Sequence, residues 1–159
     1  MCLDEDVTRI DSIFLTSFCM TLFPDSISLL RTLTELVISA NKLTRLPDSI
    51  CDLRSLSELC VSKNRLTYLP DSIGNLRRLT DLNARYNALT LLPDSIGNLT
   101  SLRRLNVGNN RLTNLPESIV NMRSLWELNI SSNPITASKQ ARSEIKQRFG
   151  RGGLHISVK

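Results

Sequence analysis

Few residues in this chain could do chemistry. The cysteines are Cys2, Cys19, Cys51 and Cys60, and the only histidine is His155. No two cysteines have C-x-x-C spacing, and one histidine cannot complete a Cys/His zinc site, so neither metal nor cofactor is expected. A cysteine nucleophile needs a base beside it. Cys60 falls in mid-strand with no obvious base, and His155 falls in a terminal strand as a structural or solvent-facing residue. The sequence contains no phosphate loop, no H-E-x-x-H and no G-x-S-x-G. No catalytic residue is assigned, and the chain is read as non-enzymatic.

The residues that stand out recognise rather than react. Arg85, Tyr86 and Arg104 fall one to two strands apart with Lys63 beside them, and Trp126 is the only tryptophan. Tyrosine, tryptophan and arginine are the types that carry most interface energy. Asn83, Asn106 and Asn129 recur near them, and an amide offers both donors and acceptors.

What positions these residues is a repeat. Leu33, Leu56, Leu79, Leu102 and Leu125 are 23 residues apart, as are Asn41, Asn64, Asn87, Asn110 and Asn133. The eight residues LPDSIGNL occur at 69–76 and again at 92–99. The shared pattern is L-x-x-L-x-L-x-x-N-x-L-x-x-L-P-x-x-I-x-x-L, with Ala84 and Met122 as substitutions. A worn copy precedes it, carried by Ile10, Ile13, Leu15, Met20, Phe23, Pro24, Ile27 and Leu30, with Phe18 in the place of the asparagine.

The residue types suit a stacked unit. Alternation in x-L-x-L-x sends alternate side chains inward and outward along a strand. The asparagine follows where the chain turns, and its amide can satisfy turn backbone, repeated as a structural ladder. Leu-Pro holds an extended corner. The stretch DSIGNL, with a cap-like Asp or Ser, fits a short helical turn on the outer side. One unit cannot bury its apolar edge alone, but stacked units bury it against each other. Six strands at about 4.8 Å spacing make a concave parallel sheet roughly 25–30 Å wide.

This pattern resembles the leucine-rich repeat family, in its 23-residue LPxxIxxLxxLxxLxLxxNxL class, over about residues 10–136. The class is similar to intracellular Ras-binding scaffold proteins, their plant relatives and repeat-bearing bacterial effectors delivered into host cells. The resemblance implies an α/β horseshoe solenoid with a concave parallel sheet and short 3-10 turns outside. It implies a protein-binding role as an adaptor or scaffold in signalling, with a small GTPase or signalling protein as partner. The alternative it implies is the recognition part of a larger protein, a bacterial effector of ubiquitin-ligase type or a plant resistance protein. Secreted members usually carry cysteine-clustered end caps, and none is visible here.

Three parts are expected: a degenerate first repeat or cap over 1–32, the solenoid over 33–136, and a basic closing segment over 137–159. Phe14, Phe18 and Phe23 are the candidate front cap. At the back, Ala141, Ile145 and Phe149 suit one face of a helix capped by Thr136 or Ser138 and ended by GRGG. Leu154, Ile156 and Val158 then alternate as a last strand, 26 residues on from Leu128 and Ile130.

The formal charge of +5 resides in this closing segment, where Lys139, Arg142, Lys146, Arg148, Arg151 and Lys159 face Glu144 alone. The rest is balanced, so a nucleic-acid or membrane partner is not expected and a monomer is. The acidic start MCLDEDVTR is unlike a signal peptide, and no run reaches the length of a membrane span. Asn98 and Asn129 head glycosylation sequons, but both fall on repeat positions and are read as accidental. A reducing, cytoplasmic setting is expected, with delivery by a bacterium into a host cell as the alternative.

The outward columns define the expected binding face. They are Glu35, Glu58, Asp81, Arg104 and Glu127; Val37, Cys60, Asn83, Asn106 and Asn129; Ser39, Ser62, Arg85, Gly108 and Ser131; and Ala40, Lys63, Tyr86, Asn109 and Ser132. Trp126 occupies a column held elsewhere by Thr34, Ser57 and Thr80, so the repeat does not demand it. Lys63, Arg85, Tyr86, Arg104, Asn106, Trp126 and Asn129 are the candidate contact residues.

Overall fold

The structure, a computed structural model, describes residues 10–150 and 152–158. Cys2, the acidic start, Arg151 and Lys159 lie outside the described residues. Seven short strands form one sheet in chain order, every neighbouring pair parallel: β1 (Ser12–Phe14), β2 (Glu35–Val37), β3 (Glu58–Cys60), β4 (Asp81–Asn83), β5 (Arg104–Asn106), β6 (Glu127–Asn129) and β7 (His155–Ser157). The 23-residue period becomes register, with Leu36, Leu59, Leu82, Leu105 and Leu128 side by side and fully or almost fully buried. Short 3-10 turns cover the outer side, at Asp25–Leu29, Asp48–Asp52, Ile73–Asn75, Asp94–Asn98 and Glu117–Asn121. The core between sheet and turns is aliphatic, and Ala84 is as buried as the larger residues it replaces.

The ladder asparagines, four buried and Asn87 partly so, join each unit to the one before. Asn64 Nδ2 donates to Ile38 O of the preceding unit at 2.9 Å and to Val61 O of its own at 3.1 Å. Its Oδ1 accepts from the Leu43 N–H at 3.1 Å. Asn41, Asn87, Asn110 and Asn133 repeat the same pair of links to the preceding unit. Phe18, in the asparagine position of the first described unit, is 64% exposed.

The residue before each asparagine is left-handed: Ala40, Lys63, Tyr86, Asn109 and Ser132 have φ of 53–55°. Each non-glycine residue in that region costs about 1 kcal/mol. The strands therefore stop at the column of Val37, and the two columns beyond it belong to the turn rather than to the sheet.

Three other expectations need correction. The 3-10 turns are not capped by Asp or Ser side chains. Pro24, Pro47, Pro93 and Pro116 occupy the cap position in extended conformation, and the turns close on backbone bonds to these prolines. Phe14 and Phe18 do not cap the front, because both are exposed and only Phe23 joins the core. The closing helix α1 (Lys139–Phe149) starts at Ser138, whose Oγ accepts from Ala141 N at 2.9 Å, and it buries Ile145 and Phe149. It ends, as expected, at the first glycine of GRGG, Gly150, in extended conformation. In β7 the partner of Leu128 is Ile156, not Leu154, a slide of two residues from the expected register. A two-residue slide keeps every side chain on its face, so alternation alone cannot detect it.

The glycines of the duplicated octapeptide are fixed by packing. A Cβ on Gly74 would lie 2.3 Å from Ser95 O, and one on Gly97 2.5 Å from Ser118 O. Gly97→Ala is expected to lower stability by about 1–3 kcal/mol in urea unfolding, while Gly152→Ala, with open space around it, leaves the midpoint unchanged. Asn110→Ala strands the carbonyls of Ala84 and Val107 and the Leu89 N–H. It is expected to cost about 3 kcal/mol in the same measurement; a loss below about 1 kcal/mol would contradict the ladder's role.

Candidate recognition face

The inner face of the sheet presents two rows of side chains in register. The first runs Ser12, Glu35, Glu58, Asp81, Arg104, Glu127, His155. Like charges directly opposite one another oppose pairing, so Glu35, Glu58 and Asp81 on neighbouring strands serve something other than sheet stability. Arg104 relieves part of this strain. Its Nε is ion-paired with Asp81 Oδ1, and that hydrogen bond raises its pKa further. Arg104 is therefore paired through Nε with Asp81 while its side chain stays 54% exposed on this face.

The second row, one pleat further on, runs Phe14, Val37, Cys60, Asn83, Asn106, Asn129, Ser157. It changes from apolar to amide along the arc. The three amide oxygens are occupied. Asn83 Oδ1 accepts from Arg85 N, Asn106 Oδ1 from Gly108 N and Asn129 Oδ1 from Ser131 N, at 3.0–3.3 Å. Their NH₂ groups make no hydrogen bond among the described residues, so the row presents open donors, while Asn129 Oδ1 accepts a second bond from Ser131 Oγ at 2.6 Å. The rows enclose a depression of about 370 Å³ lined by Glu58, Asp81, Arg104, Glu127, Asn83 and Asn106 among others. A larger hollow of about 600 Å³ lies on the outer flank between Leu22, Pro24, Pro47 and Tyr68, but no comparable row of unpartnered hydrogen-bonding groups lines it.

The other candidates are separated. Lys63, Arg85 and Tyr86 sit at the rim where the chain leaves the strands. There the Arg85 guanidinium lies 4.4 Å from the Tyr86 ring centroid and donates to Tyr86 Oη at 3.0 Å, while Arg85 Nε is buried without a partner. Trp126 stands at the opposite rim, one residue before β6, and is 49% exposed. These residues do not form one patch. The thiols offer little chemistry: Cys60 Sγ neighbours only hydroxyls, Ser39 Oγ at 3.1 Å and Ser62 Oγ at 3.5 Å. Burial pushes the Cys51 thiol up to about 11, so it stays protonated at neutral pH.

A curved parallel sheet built from stacked, asparagine-tied units defines a repeat solenoid. The leucine rich repeat family model matches residues 31–89 and 87–135, and the chain belongs to the leucine-rich repeat family. No curated protein matches the chain. Among solved structures it is similar to a leucine-rich repeat protein of Leptospira interrogans, with 27% identity and a TM-score of 0.74 over 94% of this chain and 43% of that one. It is similar to YopM from Yersinia enterocolitica, with 32% identity and a TM-score of 0.65 over 79% of this chain and 25% of that one. It is also similar to a chain of the BIR3–SERK2 complex from Arabidopsis thaliana, with 30% identity and a TM-score of 0.68 over 83% of this chain and 72% of that one. The chain thus spans less than half of the Leptospira protein. Leucine-rich repeat proteins are in general protein-interaction modules and typically not enzymes.

The Arg104 ion pair is exposed, and exposed pairs contribute about 0–1 kcal/mol. Arg104→Ala is therefore expected to shift the unfolding free energy by less than about 1 kcal/mol. A larger loss in urea titration would make this pair a structural strut rather than part of a recognition surface.

Proposed function

We propose that this chain is a non-enzymatic adaptor that holds an extended segment of a partner protein on its concave face. One observation carries the reading: a row of carboxylates and a row of open amide donors run in register across the sheet. Backbone carbonyls of a bound segment would accept from Asn83, Asn106 and Asn129. Its basic side chains would meet Glu35, Glu58 and Glu127. Charge matching of this kind sets specificity and association rate more than affinity. Lys63, Arg85 and Tyr86 would contact the segment where it leaves the arc at one rim. We place the adaptor in a reducing compartment, a reading supported by the free Cys19, Cys51 and Cys60.

A second reading is favoured by the partial coverage of the bacterial relatives, 43% and 25% of their lengths. In it this chain is the recognition portion of a longer protein whose activity resides elsewhere. The mass of the native product separates the two.

The test is affinity capture from source-cell lysate with three folded baits, each checked by circular dichroism. These are the wild type, a concave variant (Glu58→Lys, Asn106→Leu, Asn129→Leu) and an outer-face variant on the exposed starts of two 3-10 turns (Asp48→Ala, Asp94→Ala). A protein retained by the wild type and the outer-face variant, and lost at least tenfold by the concave variant, is the expected result. Equal retention by all three would overturn the choice of face.

A further inference from the structure

The rim where the chain enters the strands carries a feature that the concave face does not explain. Arg31, Arg54, Arg77 and Arg123 occupy one position in successive units. The N–H of each donates to the carbonyl two residues earlier, at 2.8–3.0 Å, and Thr100 holds the remaining place. Arg78 adjoins Arg77, and Arg103 directly precedes β5. All six guanidinium groups are on exposed residues, and among the described residues none forms an ion pair. Over the rim segments 29–34, 52–57, 75–80, 98–103 and 121–126 the only carboxylate is Asp52, and at the front of the stack Asp11 stands in the column of Thr34 and Trp126. The other carboxylates of these units either line the concave face or stand at the starts of the 3-10 turns, as Asp48 and Asp94 do.

Arginines that follow a 3-10 turn also oppose its carbonyl end, but turns of three to five residues carry little dipole. That local effect gives no reason for the apolar residues at the two ends of the rim. Leu29 is 76% exposed and shares a hollow with Arg31, Arg54 and Asp52. Trp126 is 49% exposed, and its N–H donates to Arg103 O at 3.0 Å. In the same column Thr34, Ser57 and Thr80 donate their hydroxyls to the preceding unit, a bond that Arg103 and Trp126 give up.

We propose that this rim docks on an anionic lipid bilayer. The six arginines engage headgroup phosphates and carboxylates, for which the guanidinium fork is suited. Leu29 and Trp126 enter the headgroup layer at either end, where tryptophan is favoured. Parallel stacking spaces the units by about 4.8 Å, so the arginines form one row that a flat charged surface meets together. A single-stranded nucleic acid would instead require repeated stacking platforms, and the rim has one aromatic residue. The contact is peripheral, since no helix among the described residues is long and apolar enough to cross a membrane. The concave face stays open to a partner, so this inference stands independently of the adaptor reading.

Trp126 is the only tryptophan, so its emission reports the rim directly. The full chain would be mixed with phosphatidylcholine vesicles and with vesicles in which roughly a third of the lipid is phosphatidylserine. Co-sedimentation and a blue shift of emission with the anionic vesicles alone, reversed at about 0.5 M salt, are expected. Arg54→Glu with Arg77→Glu should reduce partition about tenfold or more, with an unchanged urea midpoint. Arg54→Lys with Arg77→Lys should keep most of it, and Lys139→Glu with Arg142→Glu on α1 should leave it unchanged. Equal binding to both vesicles, sedimentation without a blue shift, loss only in the α1 variant, or a response of Trp126 to an RNA oligonucleotide but not to vesicles would each overturn the proposal.

Discussion

Every unit of this solenoid must carry its backbone from the sheet to the outer side across an aliphatic core. Backbone polar groups left unpaired there would each cost about 1–3 kcal/mol. One amide side chain per unit resolves this. Each asparagine from Asn41 to Asn133 donates to a carbonyl 26 residues earlier at 2.6–3.0 Å and accepts from an N–H 21 residues earlier at 2.9–3.1 Å. The amide is thus spent on the unit before it, and the repeat spacing follows from that reach. Fixing the amide in place requires the left-handed residue ahead of it. A recurring strain at Ala40, Lys63, Tyr86, Asn109 and Ser132 is offset by the bonds it permits.

The surfaces inherit this order. Because the units are tied at the turn, strands of only three residues suffice to hold the side chains of five or more units in rows. Position within the unit decides the surface reached. The column of Glu35 forms an acidic row on the concave face, the column of Val37 supplies amide donors, and the column of Arg31 forms a basic row on one rim. Charge that looks balanced in the body of the sequence is sorted by the fold onto separate faces. The closing helix follows the same logic at the end of the stack, covering the last core edge with Ile145 and Phe149 while Arg148 pairs with Glu117.

The repeat, the inward leucines and the strand positions were legible because each is written several times over in the sequence. So were the helix and strand that close the stack, through their own periods of four and two. The register of β7 was not, since a slide from Leu154 to Ile156 leaves the pattern unchanged. Proline in place of a side-chain cap was hidden because Asp and Ser beside it carry a stronger general signal. Columns alone do not show where a strand ends, so the sequence groups Trp126 with Tyr86 although the two stand on opposite rims. The arginine row is hidden for a related reason: Arg31, Arg54, Arg77 and Arg123 share the 23-residue spacing but lie in the turn before the strand, outside the outward strand columns.

The claim on which the rest depends is that the asparagine amides hold the units together. Native-state hydrogen exchange of the Leu43, Leu66, Leu89 and Leu112 N–H groups tests it, because each donates to an asparagine Oδ1 and to no backbone partner. These four should exchange only through cooperative opening, as slowly as the N–H groups of the central strands. Exchange at the rate of the exposed rim residues, with the strands still protected, would show that the sheet stands without the ladder and would contradict the account.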